Sequence, residues 1–311
     1  MTNRNRAQDF DKYGPVAKVC LSDKIFALYR MDQSHKLAFL RIEDLRDIVD
    51  KACNLELPDE LVPTFLLRRL DVDKVLEAAM EPATLAGETR LKEMFHESQW
   101  GDRISLYRYL TTTSVARQIA GIVFDSLVRQ ILLQGVSLTL VLMAKRSPPV
   151  EGEDGRMIQW EPAQNRTDRP LAASPVSVYI PPNVVVGLEA KLTAVVSKFE
   201  PNRLYVLTTT NRAPFDAFIM HSGFLYIFRI ATMCLYETES KSVYAINDRI
   251  KEFFSEEMLH ELPPRTMWWF VFVIPPRKRI IGQCKSGVGE FLTGVALFSA
   301  ELDVERWKPM A

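Results

Sequence analysis

The sequence predicts an α/β protein, a mixed central sheet flanked by helices, with an α-rich N-terminal region ahead of it. Three stretches carry that prediction. In Ser114–Leu133, the residues Ile119, Ile122, Val123, Leu127, Val128 and Ile131 recur mainly at spacings of three and four, and Gly135 follows the last turn. Pro214–Met220 and Phe224–Met233 read as two strands around a His221-Ser222-Gly223 turn. Trp268–Ile274 is aromatic and β-branched, and Pro275–Pro276 must end it because proline supplies no N–H to a ladder.

The other elements follow in chain order. Residues 1–14 read as a polar tail without an apolar signal core. Val16–Arg30 and Leu37–Leu40 suggest short strands. Ile42–Cys53 has helical period, with Leu45, Ile48 and Val49 on one face. Pro58 and Pro63 punctuate the next stretch, after which Asp71 or Asp73 is placed to cap a helix through Met80. Thr84–Glu97 is helical in pattern, Gly101–Asp102 is expected to break it, and Ile104–Leu110 is mixed. Val136–Met143 reads as a strand.

Pro148–Pro175 is rich in Pro, Gly, Glu, Asp and Asn, and reads as an exposed insert or long loop. Short strands are expected at Val176–Ile180, Val184–Gly187 and Arg203–Leu207. A helix is expected at Val243–Leu259, closed by Pro263–Pro264. These elements divide the chain into an N-terminal region, 1–103, and an α/β module, 104–311, carrying the insert near 148–175.

Composition narrows the function classes. With 47% hydrophobic and 25% charged residues in 311 positions, the chain is that of a globular protein, not a disordered one. Its 39 basic and 39 acidic residues cancel, which argues against a nucleic-acid coat protein while leaving room for a local basic groove. Cys20, Cys53, Cys234 and Cys284 form no CxxC pair, and none of the four histidines stands at ligand spacing from them. Free buried thiols are expected rather than a zinc site. No apolar run approaches the ~20 residues of a membrane helix, so an intracellular chain is expected, with the nucleus among its compartments. The stretch GQCKSGVG at Gly282–Gly289 lacks the GK[ST] ending of a phosphate loop.

Three stretches together resemble one family. They are SVARQIAGIVFDSLVRQILLQG at Ser114–Gly135, RLYVLTTTNRAPFDAFIMHSGFLYIFRIATM at Arg203–Met233, and WWFVFVIPP at Trp268–Pro276. Similar stretches occur in the same order in crinkler-type effector proteins of fungi and oomycetes and in retrotransposon-hot-spot proteins. Those carry a Gly-containing helix with an acidic residue, then Y-x-P leading to FDSF, then LYIFQ and FVFVIP. The resemblance spans about residues 104–280. It implies a restriction-endonuclease-like fold and a PD-(D/E)XK nuclease-like module. In such modules two carboxylates hold Mg²⁺, which activates a water, while a Lys or Gln orients it.

The resemblance also assigns residues. The helix glutamate of the family falls on Asp125, one methylene shorter. The hairpin aspartate falls on Asp216. The strand glutamine falls on Arg229, whose guanidinium stays protonated and cannot ligate a cation. FDSF is here Phe215-Asp216-Ala217-Phe218, and a Thr common after the glutamine position is Ala231.

The implied catalytic set is therefore Asp125, Asp216 and Arg229, with Asp125 and Asp216 as Mg²⁺ ligands if the site is active. Each has a plainer reading. Asp125 fits a solvated helix flank, Asp216 a strand start after Pro214, and Arg229 an edge-strand position facing water. A lone charge in LYIFRIAT is costly unless paired, so Arg229 is also expected to pair with Asp216 or Asp125.

Arg277, Lys278 and Arg279 form a basic cluster suited to a phosphate backbone or to a solvated loop. One of Trp268 and Trp269 is expected in the core and the other exposed for stacking. Two functions remain open on these residues: a phosphodiesterase-like module with a degenerate site acting on DNA or RNA, and a non-catalytic module that binds protein or nucleic acid and keeps only the fold.

Overall fold

The structure, a computed structural model, describes residues 39–53, 65–72, 75–82, 85–145, 150–152, 155–162, 175–182, 184–188, 200–207, 215–231, 260, 262–276, 280–283 and 295–308. The chain forms two compact units, Met1–Leu127 and Val128–Ala311. The division falls inside a helix instead of near residue 103, and Arg103 itself lies within a continuous helix.

In the first unit, helix α1 is Ile42–Cys53, and it buries Leu45, Ile48, Val49 and Ala52 along one stripe. Its first turn is tied by Arg41 N–H donating to the Asp44 carboxylate at 2.9 Å. Strands β1 (Phe65–Val72) and β2 (Val75–Pro82) follow as an antiparallel pair, with Phe65 opposite Pro82 and Val72 opposite Val75. This corrects the helix expected to end at Met80. Leu, Glu, Ala and Met favour a helix by only a few tenths of a kcal/mol each, and cross-strand pairing overrides so weak a bias.

Helix α2 is Leu85–Glu97 and helix α3 is Trp100–Thr111. The break expected at Gly101–Asp102 is only the gap at Ser98–Gln99. Gly101 and Asp102 instead sit in the first turn of α3, where N–H groups are unpaired in any helix and a carboxylate suits the positive end. Helix α3 buries Arg103, Ile104, Leu106, Tyr107 and Leu110. Three threonines close it: Thr111 Oγ1 donates to Arg108 O, and Thr112 and Thr113 Oγ1 donate to Tyr109 O. On its outer side Tyr109 Oη donates to the Asp50 carboxylate of α1, and Arg46 donates to Ser105 Oγ at 2.7 Å.

A 3-10 turn, Ser114–Ala116, leads into helix α4, Arg117–Gln134. Of its periodic face, Ile119, Val123 and Leu127 in the first unit and Val128 and Ile131 in the second are buried, whereas Ile122 is half-buried. Gly135 leaves the helix at φ 86°, the left-handed conformation that ends a helix most cheaply with glycine. A Cβ there would lie 3.0 Å from Pro182 Cδ, so two requirements meet at this one residue.

The rest of the second unit is β-rich. The strands are β3 (Val136–Lys145), β4 (Val150–Gly152), β5 (Gly155–Pro162), β6 (Val176–Ile180), β7 (Val184–Leu188) and β8 (Leu204–Leu207). They continue with β9 (Ala217–His221), β10 (Phe224–Ile230), β11 (Trp268–Ile274), β12 (Ile280–Gln283) and β13 (Ala296–Glu301). They join in one mixed sheet in the order β12-β5-β3-β13-β11-β10-β9-β8-β7, with β4 on β5 and β6 on β3. The pairs β7–β8, β10–β11 and β11–β13 are parallel, and the others are antiparallel. A mixed α/β architecture is therefore present.

Two details depart from the sequence reading here. The segment expected as a loop from Pro148 to Pro175 contains β4 and β5, and β5 pairs with both β3 and β12. Gly152 pairs with Gly155, and Met157, Ile158 and Trp160 provide a strand pattern that the surrounding Pro and Asn obscure. Strands β12, IIGQ, and β13, ALFSAE, are additions that the sequence reading lacked.

The hairpin β9–β10 turns through Ser222 at φ 51° and Gly223 at φ 80°. Strands β10 and β11 lie inside the sheet, and every residue of β11 is buried. Trp268 and Trp269 are thus both core residues, correcting the exposed member of the pair. Trp269 stacks on Phe298 with ring centroids 4.4 Å apart, while Trp268 Nε1 donates to Pro263 O at 2.7 Å. The expected strands at Val16–Arg30, the helix at Val243–Leu259, and Cys20, Cys234 and Cys284 lie outside the described residues. Cys53 is exposed rather than buried, at the end of α1.

Candidate functional site

Asp216 stands immediately before β9, behind the buried ring of Phe215. Its backbone is already committed to the ladder. Its N–H donates to Phe228 O at 2.8 Å, and its carbonyl accepts from Leu207 N at 3.0 Å. Those bonds fix where the side chain goes. Only 8% of the Asp216 side chain is exposed, so its carboxylate requires partners.

It has three. Oδ2 accepts from the backbone N–H of Ile230 at 2.8 Å. Oδ1 accepts from Arg129 Nη2 at 2.7 Å. Arg229 Nη1 stands 3.6 Å from Oδ2 as an ion pair. Arg129 also reaches past the carboxylate, and its Nη1 donates to Leu207 O at 2.7 Å. One guanidinium fork thus joins α4 to the end of β8 and the start of β9.

The structure brings Asp216 and Arg229 together, as the charge in an apolar strand required. The edge-strand reading of Arg229 is corrected, because β10 is hydrogen-bonded to β9 on one side and β11 on the other. Ala231, at the expected Thr position, is buried and donates its N–H to Val273 O at 3.0 Å. Asp125 is half-buried on the part of α4 that belongs to the first unit. Arg277, Lys278 and Arg279 lie outside the described residues.

Arg129 is the residue that the sequence reading missed. The available signal was its spacing: it follows Asp125 by one helical turn, on the same face of α4. It also interrupts an apolar helix, where a charge needs a partner.

The residues present fit a divalent cation poorly. A cation at Asp216 would take the oxygens that Arg129, Arg229 and Ile230 N–H now occupy, beside two permanently positive groups. Among the described residues, no group of three or more His, Cys, Asp or Glu side chains is placed to hold a metal ion. Chemically, the arrangement neutralises a buried carboxylate and ties three segments together. No helix among the described residues is long and apolar enough to cross a membrane. No family model, curated protein or solved structure matches this chain.

Proposed function

We propose that the chain is a nuclease-like module of crinkler type in which the site has lost phosphodiester cleavage and the fold serves binding. One observation carries this reading. The carboxylate at the position where a PD-(D/E)XK module would hold Mg²⁺ is held instead by Arg129 and Arg229. A guanidinium neither accepts a proton nor ligates a metal, so the groups that generate a nucleophilic water are missing at Asp216.

The chain order supports a restriction-endonuclease-like arrangement as the ancestry. Helix α4 comes first, then β8, then the antiparallel hairpin β9–β10, then β11 parallel to β10. That is the order of stretches on which the resemblance rests. Nucleic acid is the ligand that the resemblance implies, and a protein partner is the alternative for a module with zero net charge.

The test is cleavage of plasmid DNA and of structured RNA with Mg²⁺ or Mn²⁺, alongside a mobility-shift assay at low salt. The expected result is no cleavage above buffer. Metal-dependent cleavage by the parent that Asp216→Ala abolishes sinks the reading and establishes an enzyme. With cleavage absent, a shift whose affinity falls steeply with salt supports nucleic-acid binding, and no shift favours the protein partner.

A further inference from the structure

We draw no further inference here: the strongest candidate, the surface patch at the tip of the β9–β10 hairpin where His221, with Nδ1 2.6 Å from Asn202 Oδ1, and Phe224 flank the ring of Tyr226, carries nothing because nothing among the described residues shows what covers it.

Discussion

Arg129 and Asp216 are 87 positions apart in sequence and meet at 2.7 Å, with 16% and 8% of their side chains exposed. Two charges have been taken largely out of water, and each is a principal partner of the other. Breaking such a pair from one side leaves a buried charge uncompensated, which costs about 3–5 kcal/mol.

Asp216→Ala is accordingly expected to destabilise the protein by about 3–5 kcal/mol, because it removes the carboxylate that two guanidinium groups and the Ile230 N–H share. Urea unfolding followed by circular dichroism measures this. A loss under about 1 kcal/mol would mean that water solvates the site and the network is ornamental.

The two arginines are not equivalent. Arg129 makes two bonds at 2.7 Å, whereas Arg229 stands at 3.6 Å from its partner. Arg129→Met should therefore cost at least about 1 kcal/mol more than Arg229→Met in the same unfolding assay. Arg129→Lys should not rescue, since one ammonium point charge lacks the fork that spans Leu207 O and Asp216. Equal losses for the two arginines would contradict the geometry.

Arg129 also changes what a charge swap should do. Considered as a pair, Asp216→Arg with Arg229→Asp should recover stability. With Arg129 against Oδ1, the swap instead places a second guanidinium beside that of Arg129, so like charges meet. The double variant is expected to stay well below the parent in melting temperature. Full recovery would show that Arg129 is not part of the network.

Tyr109, on α3, gives a pH-dependent signature away from this site. Burial, then the hydrogen bond to Asp50, and then the Asp50 charge push its phenol well above the ordinary tyrosine range, against a smaller opposing effect of Arg46. The fold thus holds the proton more tightly than the unfolded chain does. Its contribution is fully present below the unfolded value of about pH 10 and is lost as pH rises through the higher folded value. Absorbance titration should show late phenolates, since burial also raises Tyr226, and Tyr109→Phe should remove one of them. Asp50→Asn should shift that phenolate only part of the way back, because burial, the largest single cause, stays. A complete return would make Asp50 the dominant cause instead.

Gly135→Ala tests the end of α4. A left-handed residue with a Cβ is strained, and this Cβ would also press on Pro182 at 3.0 Å. A loss of about 1–2 kcal/mol is expected, and a gain in stability would show that the chain leaves the helix differently.

How far the sequence reaches can be judged from particular elements. The period of Ile42–Cys53 and the β-branched run Trp268–Ile274 each became the element they suggest, with the same bounds. Periodicity reports which face of one element is apolar, and both segments carry that signal within themselves. The strands Phe65–Val72 and Val75–Pro82 do not, because VLEAAMEP favours a helix until a partner lies beside it. The sequence also marked Arg229 and Asp216, since an isolated charge in an apolar strand and an acid at its hairpin partner's start stand out at short range.

What those charges do was decided only by tertiary structure. Whether Arg229 faced water depended on β11 arriving from much later in the chain, and it arrived on the side that would otherwise have been an edge. Whether Asp216 held a metal or an arginine depended on a residue 87 positions earlier. An ion pair is chosen by distance in space, and no local pattern in an amino-acid sequence encodes that distance. The sequence by itself indicated helices α1, α2 and α4, the strands β3 and β6 to β11, and Asp216 and Arg229 as residues in need of partners, but neither α3 nor Arg129. The fold chose the partners, and at Asp216 it chose two guanidinium groups.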